Sequence, residues 1–268
     1  MSEISDQEFS HFRRFIFDAA GIALGENKKV LVTSRLASRL QRYQLSTYSQ
    51  YLKLLASGEQ PDETQTAIDL LTTNETYFFR EPRHFDFLRE QLGIYMQQPQ
   101  QFPLRIWSAA GSTGEEAYSI AMVLEDRLRG RAWELLASDI SARVLERART
   151  GHYPMERARH IPLPYLQRFC LKGQGKQEQT LLIDRALRNK VRLQQINLNA
   201  QLPPIGQFEF IFLRNVLIYF NEATKREVIA RMGSVLKPGG WLFIGHSETL
   251  HGVSDALESV APAIYRKP

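Results

Sequence analysis

The architecture of this chain follows from one segment, Arg105-Ile106-Trp107-Ser108-Ala109-Ala110-Gly111-Ser112-Thr113-Gly114-Glu115-Glu116-Ala117-Tyr118-Ser119-Ile120-Ala121. It begins as a short apolar strand, continues as a loop of small residues, and ends as an amphipathic helix that opens with two glutamates. A strand, a tight loop and a helix in this order form the nucleotide-type pocket at the first turn of an α/β sheet. The segment therefore predicts a ligand site at the carboxyl end of the strand.

The two glutamates, Glu115 and Glu116, restrict the kind of ligand. A helix N-terminus normally attracts a phosphate, and two carboxylates at that position oppose one. They favour instead a ligand with hydroxyls, an amine or a positive charge, and S-adenosylmethionine has all three. The loop also lacks Gly-x-Gly-x-x-Gly, which disfavours NAD, and it lacks the Gly-Lys-Ser/Thr of an ATP-binding loop.

Strands alternate with helices through the C-terminal part of the chain, which predicts a parallel α/β sheet. We expect strands at residues 104–109, 133–138, 191–195, 208–213 and 241–245, and helices at 115–128, 141–148 and 224–236. The turn that ends the last of these helices is expected at residues 237–240, Lys-Pro-Gly-Gly.

Two other regions depart from this alternation. Residues 1–85 show helical periodicity and are expected to form an N-terminal helical domain, with residues 86–268 as the α/β domain. Further short helices are expected at 48–55 and 64–71 with a turn at 58–61, and the polar stretch at 97–101 is the best linker candidate. Residues at about 155–190 are expected to form a small antiparallel insertion with a loop at 173–176.

Composition limits the class of protein. The chain has 268 residues, a net charge of +5 and a single cysteine, Cys170, which excludes an intrachain disulfide. The start of the chain is polar, and no apolar run approaches the roughly 20 residues that span a bilayer. We therefore expect a soluble, cytoplasmic protein without membrane insertion, whose basic balance favours anionic partners.

Three positions could carry chemistry, and each has a simpler alternative. Asp139 follows the second predicted strand, where an acid holds a ribose diol, although it could instead cap the next helix. Arg80 could clamp a carboxylate, although it could instead pair with Glu81 beside a packed Phe78 and Phe79. Tyr219 follows an apolar strand, where such sheets place reacting groups, although it could be a core residue.

The motifs around these residues resemble those of the chemotaxis receptor methyltransferases, the CheR family. The resemblance covers nearly the whole chain. It rests on Thr73-Asn74-Glu75-Thr76-Tyr77-Phe78-Phe79-Arg80-Glu81, Trp107-Ser108-Ala109-Ala110-Gly111-Ser112-Thr113-Gly114-Glu115-Glu116, Ala137-Ser138-Asp139-Ile140, Asn197-Leu198, Arg214-Asn215-Val216-Leu217-Ile218-Tyr219-Phe220 and Gly245-His246-Ser247-Glu248. The chain departs from the family at Gly111, often Ala or Cys, and at Ala117, often Pro; neither change affects a ligand-type side chain.

The resemblance implies a Rossmann-like sheet with an all-helical N-terminal domain and a protein-glutamate O-methyltransferase activity on the cytoplasmic helices of chemoreceptors. It implies S-adenosylmethionine as cofactor, S-adenosylhomocysteine as product, no metal, and Arg80 and Tyr219 near the transferred methyl group. The family's cofactor contacts correspond to Asn74, Thr76, Arg80, Glu116, Asp139, Asn197, Leu198, Arg214 and Asn215.

The resemblance also bears on how a receptor would dock. Arg35, Arg39 and Arg42 fall on one helix face and would complement receptor helices rich in Glu and Gln, although such a face could simply be solvated. In the family, the antiparallel insertion can bind a C-terminal pentapeptide of some receptors as an added strand. The loop with Gly173 and Gly175 resembles the longer form found in members that do so. Nothing in the sequence suggests an obligate oligomer, so we expect a monomer.

Two other functions stay open from the sequence alone. The basic balance would suit a nucleic-acid methyltransferase, but the Pro-Pro-Tyr motif of enzymes that methylate base amines and a long basic run are both lacking. A cofactor-binding module that docks on a receptor without turnover is the other alternative. The presence of Arg80 and Tyr219 argues against that alternative.

Overall fold

A computed structural model describes residues 3–99 and 102–268 of the chain. Met1 and Ser2 of the polar start, and residues 100 and 101 of the expected linker, lie outside the described residues. The α-helices are α1 (Asp6–Ala20), α2 (Lys29–Arg42), α3 (Tyr48–Ala56), α4 (Pro61–Leu71), α5 (Pro82–Tyr95), α6 (Glu115–Arg127), α7 (Ala142–Thr150), α8 (Leu163–Phe169), α9 (Arg185–Arg188) and α10 (Glu222–Val235). The strands are β1 (Leu104–Ser108), β2 (Trp133–Asp139), β3 (His152–Pro154), β4 (Cys170–Lys172), β5 (Thr180–Ile183), β6 (Val191–Gln195), β7 (Phe208–Leu213), β8 (Leu236–Ile244), β9 (Glu258–Ala261) and β10 (Ile264–Arg266).

The main sheet has seven strands in the order β6-β2-β1-β7-β8-β10-β9. The five strands from β6 to β8 are parallel, and β10 and β9 pair antiparallel at the edge. The chain leaves β1 toward β2 and later returns to β7 on the other side of β1. Strand order therefore reverses between β1 and β7, and ligands in such sheets bind outside the carboxyl ends of the strands at that point.

Burial on both faces explains why β1 lies in the middle of the sheet. Ile106 packs in one apolar core and Trp107 in the other, and both are fully buried. Trp107 pairs in register with Leu136 of β2 and Ile211 of β7, and its indole N–H donates to the hydroxyl of Ser138. The predicted parallel α/β sheet is confirmed by this arrangement.

The four N-terminal helices, α1 to α4, share a separate apolar core that includes Phe12, Leu36 and Tyr51. Ser5 and Glu8 form a capping box at the start of α1, and Gly21 ends the helix with a φ of 73°. Helix α4 begins at Pro61, three residues earlier than expected, because proline suits the first turn of a helix.

A second small sheet, in the order β3-β5-β4, is antiparallel and forms the expected insertion. Gly173 follows β4 at a position without room for a side chain, since a Cβ there would lie 1.8 Å from the carbonyl oxygen of Gln177. Gly175 has a φ of +57° in the same loop. Both glycines are therefore needed for the shape of the loop between β4 and β5.

One local feature differs from the sequence-based expectations. Residues 237–240 do not form a free turn after α10: the helix ends at Val235, and β8 runs directly through the Pro-Gly-Gly segment with a shift in its pairing to β7. Within the described parts of the chain, no helix combines the length and apolar character needed to cross a membrane.

Candidate functional site

A cleft with about 870 Å³ of empty space, partly open to solvent, lies at the carboxyl ends of β1, β2 and β7. Its other wall comes from the end of α1 and from the loop between α4 and α5. All ten residues expected at the cofactor and the methyl group line this cleft: Asn74, Thr76, Arg80, Glu116, Asp139, Asn197, Leu198, Arg214, Asn215 and Tyr219. The structure thus brings together residues from five separate parts of the sequence.

Asp139 ends β2 and is held by backbone donors. Its Oδ1 accepts from the Ser141 N–H at 2.9 Å, and its Oδ2 accepts from the Ser112 N–H at 3.0 Å. Helix α7 is capped by Ser141 itself, so the interpretation of Asp139 as the helix cap is wrong. Burial raises the pKa of Asp139 to about 6. Each carboxylate oxygen has accepting capacity left for a ligand hydroxyl in the cleft.

Only one of the two glutamates that open α6 lines the cleft. Glu116 accepts from the Ser108 hydroxyl at 2.7 Å and from Arg214 at 3.1 Å, and burial raises its pKa. Glu115 is 1% exposed, and it binds Arg157 at 3.0 Å and the Thr113 hydroxyl at 2.6 Å. Glu115 thus forms an ion pair with Arg157 and does not line the cleft. The expectation that both acids select the ligand is therefore wrong for Glu115.

Arg214 is buried beneath the cleft between two carboxylates. Its guanidinium lies 3.0 Å from Glu81 and 3.1 Å from Glu116, and it also donates to the backbone carbonyl of Arg80. Burial opposes ionisation of Glu81, but Arg214 and the side chain of Asn215 outweigh it and lower the pKa of Glu81. Glu81 thus pairs with Arg214, and the alternative in which Glu81 pairs with Arg80 is wrong.

The side chain of Arg80 keeps most of its donors available. One guanidinium nitrogen donates to the carbonyl oxygen of Glu75 at 2.9 Å, and the group lies 5.8 Å from the ring centre of Tyr77. No ion pair within residues 3–99 and 102–268 involves Arg80. A bidentate donor beside the cleft is therefore available for an incoming carboxylate.

The loop that carries Arg80 is held in an unusual backbone conformation. Phe79 and Glu81 both have positive φ, at 55° and 57°. The neighbouring Phe78 and Phe79 are buried, as the simpler alternative expected, and the Phe79 N–H donates to the Ser119 hydroxyl on α6 at 3.0 Å. Residues in this region of φ cost energy and persist where surrounding contacts fix them, which is common at functional sites.

Contacts across the cleft connect the helical domain to the sheet. Asn197 donates from its side chain to the carbonyl of Ala19 at 2.7 Å, and the carbonyl of Tyr219 accepts from the Ala23 N–H at 2.8 Å. Asn74 lies on the loop after α4, where its carbonyl accepts from Ser112 at 3.0 Å. Burial raises the pKa of Tyr219, so its hydroxyl is neutral near pH 7.

Sequence reasoning missed two acids that shape the site. The sequence suggests Glu81 only as a partner of Arg80, and it suggests Glu248 only as part of a motif. The carboxylate of Glu248 accepts from the backbone N–H groups of Gly245, Asn215 and Ile218 and so fixes the loop after β7. Both residues lie in motifs that carry the family resemblance, and those motifs are the only signal for them in the sequence. Most of their partners, including Arg214 for Glu81 and Asn215 for Glu248, are distant in sequence.

The residues expected to contact a receptor lie outside the cleft. Arg35 donates to the carbonyls of Leu71 and Thr72, and Arg39 pairs with Glu63, whose side chain is 2% exposed. Arg42 is exposed. The three arginines share a face of α2, but two of them are bound within the helical domain, which leaves Arg42 as the most accessible.

The residues around the cleft fit S-adenosylmethionine. Asp139 places in the cleft a carboxylate of the kind that accepts from ribose hydroxyls, and Glu116 places a second acid near the loop after β1. Apolar side chains along the same wall, including Ile140, Leu198 and Phe220, offer a surface for a flat base.

Comparison with known proteins agrees with this fit. Residues 74–265 match the family described as "CheR methyltransferase, SAM binding domain", and residues 7–72 match "CheR methyltransferase, all-alpha domain". A chemotaxis protein methyltransferase of Escherichia coli K12 is 42% identical over 253 residues, which cover 91% of this chain and 85% of the relative. Chemotaxis protein methyltransferase 2 of Pseudomonas aeruginosa PAO1 is 40% identical over 262 residues, with coverage of 97% and 92%. A chemotaxis protein methyltransferase of Borreliella burgdorferi is 35% identical, with coverage of 98% and 95%.

The raised pKa of Asp139 predicts a pH dependence of cofactor binding. The ionised carboxylate is the better acceptor for ribose hydroxyls, and it is lost as the pH falls through about 6. Calorimetric titration with S-adenosylhomocysteine should therefore show affinity that falls roughly tenfold from about pH 7.5 to about pH 5. Asp139→Asn is the control: it should bind more weakly and show a smaller pH dependence, retaining only what Glu116 contributes. An Asn variant with the same pH dependence as the native protein would contradict the role of Asp139.

Proposed function

The chain belongs to the CheR methyltransferase family, and we propose that it methylates glutamate side chains on the cytoplasmic domain of a chemoreceptor, forming glutamate methyl esters. The observation that carries this proposal is the pairing, in one cleft, of the acids Asp139 and Glu116 with an arginine, Arg80, that forms no ion pair among the described residues. The acids suit the cofactor, and the arginine suits an anionic substrate. A receptor's cytoplasmic domain as substrate places the proposed activity in the cytoplasm, and we propose that the enzyme acts as a monomer.

We assign the cofactor contacts to the nine residues of the cleft that the family pattern marks. They are Asn74, Thr76, Arg80, Glu116, Asp139, Asn197, Leu198, Arg214 and Asn215. S-adenosylmethionine, when bound, supplies an electrophilic methyl group on a sulfonium centre. Asp139 accepts hydrogen bonds from the ribose hydroxyls, while Leu198 contributes to the apolar wall beside the base.

The substrate side of the reaction needs no general base. A glutamate side chain has a pKa near 4.3 and is already ionised at neutral pH. The protein's contribution is to orient the carboxylate and to exclude water. Water stabilises the separate charges of the carboxylate and the sulfonium, and these charges cancel as the transition state forms, so water would raise the barrier. Arg80 holds the substrate carboxylate through its free donors. Tyr219, neutral near pH 7, shapes the path to the methyl group and does not take a proton.

Docking of the receptor is proposed to use two surfaces away from the cleft. Arg42, with Arg35 and Arg39 beside it, offers positive charge to receptor helices rich in Glu and Gln. Strand β4 is an edge of the small sheet, with Leu171 54% exposed, and the loop with Gly173 and Gly175 follows it. An extended receptor tail can add to this edge as a further strand.

The chemistry of the product is the test of the proposed function. Transfer of labelled methyl from S-adenosylmethionine to a chemoreceptor cytoplasmic fragment, followed by mild base, should release volatile labelled methanol, because carboxyl esters hydrolyse readily. Arg80→Ala should lower this transfer about 100-fold, since it removes a charge-assisted donor at the reacting group. Arg83→Ala, which truncates an exposed arginine at the start of α5, is the matched control and should transfer at the native rate.

Other results would contradict the proposal. Label that resists base would indicate N-methylation and a different substrate class. Transfer to nucleic acid in preference to the receptor fragment would show that nucleic acid is the substrate. Cofactor binding with no transfer to any receptor fragment would favour the regulatory-module alternative. Transfer by Arg80→Ala within a few-fold of the native rate would contradict the role of Arg80, provided that its melting temperature is unchanged.

The docking proposal predicts that backbone groups of β4 bind the receptor tail. The Gly173 N–H donates to the Thr180 carbonyl. In an antiparallel pair the backbone groups of alternate residues point to the partner strand, so those of Leu171 point to β5 and those of Lys172 point outward. Lys172→Pro should therefore weaken calorimetric binding of a receptor tail pentapeptide at least roughly tenfold, because it removes an outward donor without touching β5. Lys172→Ala keeps the backbone donor and is the control. Equal binding by the two variants, or no binding by the native protein, would contradict strand addition at β4.

A further inference from the structure

A cluster of three potential metal ligands lies beside the cleft but does not line it. Glu81, His84 and His246 offer one carboxylate oxygen and two imidazole nitrogens, all within 4.8 Å of one another. The Nδ1 atom of His84 lies 3.5 Å from Oε2 of Glu81, and the Nε2 atom of His246 lies 4.0 Å from the same oxygen. The two imidazole ring centres are 4.8 Å apart.

His84 is the unusual member of this cluster. Its side chain is 0% exposed, and neither ring nitrogen has a hydrogen-bond partner. A buried polar atom without a partner costs on the order of 1–3 kcal/mol, so such an atom needs an explanation. Burial, with the nearby charge of Arg214, lowers the pKa of His84 to about 3. The imidazole is therefore neutral at physiological pH and keeps a lone pair available for coordination.

The ligand types and their spacing match those of a zinc-type site. Two histidines and one carboxylate with an open fourth position are a known ligand set for Zn²⁺. Bonds of about 2.0–2.2 Å at tetrahedral angles place ligand atoms roughly 3.3–3.5 Å apart. Oε2 of Glu81 lies 3.5 Å from the ligand nitrogen of His84 and 4.0 Å from that of His246. The side chain of His246 is 44% exposed, so it has room to move the few tenths of an ångström closer that a shared ion requires.

We propose that Glu81, His84 and His246 bind one divalent transition-metal ion of the Zn²⁺ type, with water from the solvent side as the fourth ligand. The half-exposed imidazole of His246 is the entry point from solvent. The backbone of His246 is already placed by its N–H, which donates to Oε1 of Glu81 at 3.2 Å. The site is thus preformed on the loop after β8 and the first turn of α5.

Metal binding at this cluster is antagonistic to cofactor binding. Oε2 of Glu81 also accepts from Nη2 of Arg214, and Nη1 of the same guanidinium pairs with Glu116, which lines the cleft. A metal ion that takes this oxygen competes with Arg214 for it and adds positive charge beside a buried guanidinium. This coupling, unlike metal binding itself, rests on the proposed cofactor contacts of Glu116 and Arg214, and by linkage it acts equally in both directions.

Titration of the chelator-treated full chain with Co²⁺ tests metal binding without any activity measurement. The native chain should convert Co²⁺ from its octahedral aquo spectrum to the more intense spectrum of a low-coordinate ion, saturating at one ion per chain and reversed by Zn²⁺. His246→Ala should weaken this binding at least roughly tenfold, since it removes a ligand but leaves the backbone contact to Glu81 in place. His251→Ala, an exposed histidine five residues on, should bind as the native chain does. An unchanged aquo spectrum, or equal binding by the His246 and His251 variants, would overturn the site.

The coupling has its own measurement. S-adenosylhomocysteine should weaken Co²⁺ binding, and Co²⁺ should weaken S-adenosylhomocysteine binding by the same factor. Metal binding that is lost in His246→Ala but unaffected by S-adenosylhomocysteine would retain the site and overturn the antagonism. Failure of methyl transfer to receptors, by contrast, would leave both titrations unchanged.

Discussion

Arg214 carries a positive charge into the interior of the protein, where its side chain is 1% exposed between Glu81 and Glu116. Taking these charges out of water is costly, and the cost is offset only because each carboxylate is also well bonded. Glu81 accepts from Asn215 and from the backbone of His246, and Glu116 accepts from Ser108. One guanidinium thereby joins the end of β7, the start of α6 and the loop between α4 and α5.

The rest of the cleft depends on this junction. The Arg80 carbonyl is one of the acceptors of Arg214, so the backbone at Arg80 is placed by the same cation that holds Glu116. The positive φ values of Phe79 and Glu81 need such external support, because an isolated loop would relax out of them. The helical domain then completes the wall through the contacts of Asn197 with Ala19 and of Tyr219 with Ala23.

Much of the fold could be predicted because its signals are local. Strands β6 and β7 occupy the predicted residues: β7 is almost entirely apolar, and the short β6 begins with apolar residues that alternate with a polar one. Gly21 ends α1 where its φ of 73° favours glycine. The direction of side chains was harder to predict. Glu115 and Glu116 are neighbours in sequence, and only the position of Arg157, 42 residues away, shows that Glu115 does not face the ligand. The same is true of Arg39, which looked exposed until its partner Glu63 was placed beside it, and of His84, whose burial no pattern in its own segment indicates.

The junction itself is the central claim of this account, and a double-mutant cycle tests it most directly. Unfolding free energy and S-adenosylhomocysteine affinity would be measured for the native chain, Glu81→Gln, Arg214→Met and the double variant. Arg214→Met leaves two buried carboxylates without their cation and should cost about 3–5 kcal/mol of stability together with most of the cofactor affinity. Glu81→Gln removes one of the two carboxylate partners of Arg214, with Glu116 still in place, and should cost about 2–3 kcal/mol. The double variant should be little worse than Arg214→Met alone, giving a coupling of about 2 kcal/mol or more. Additive losses would show that Glu81 and Arg214 act independently and would contradict the account.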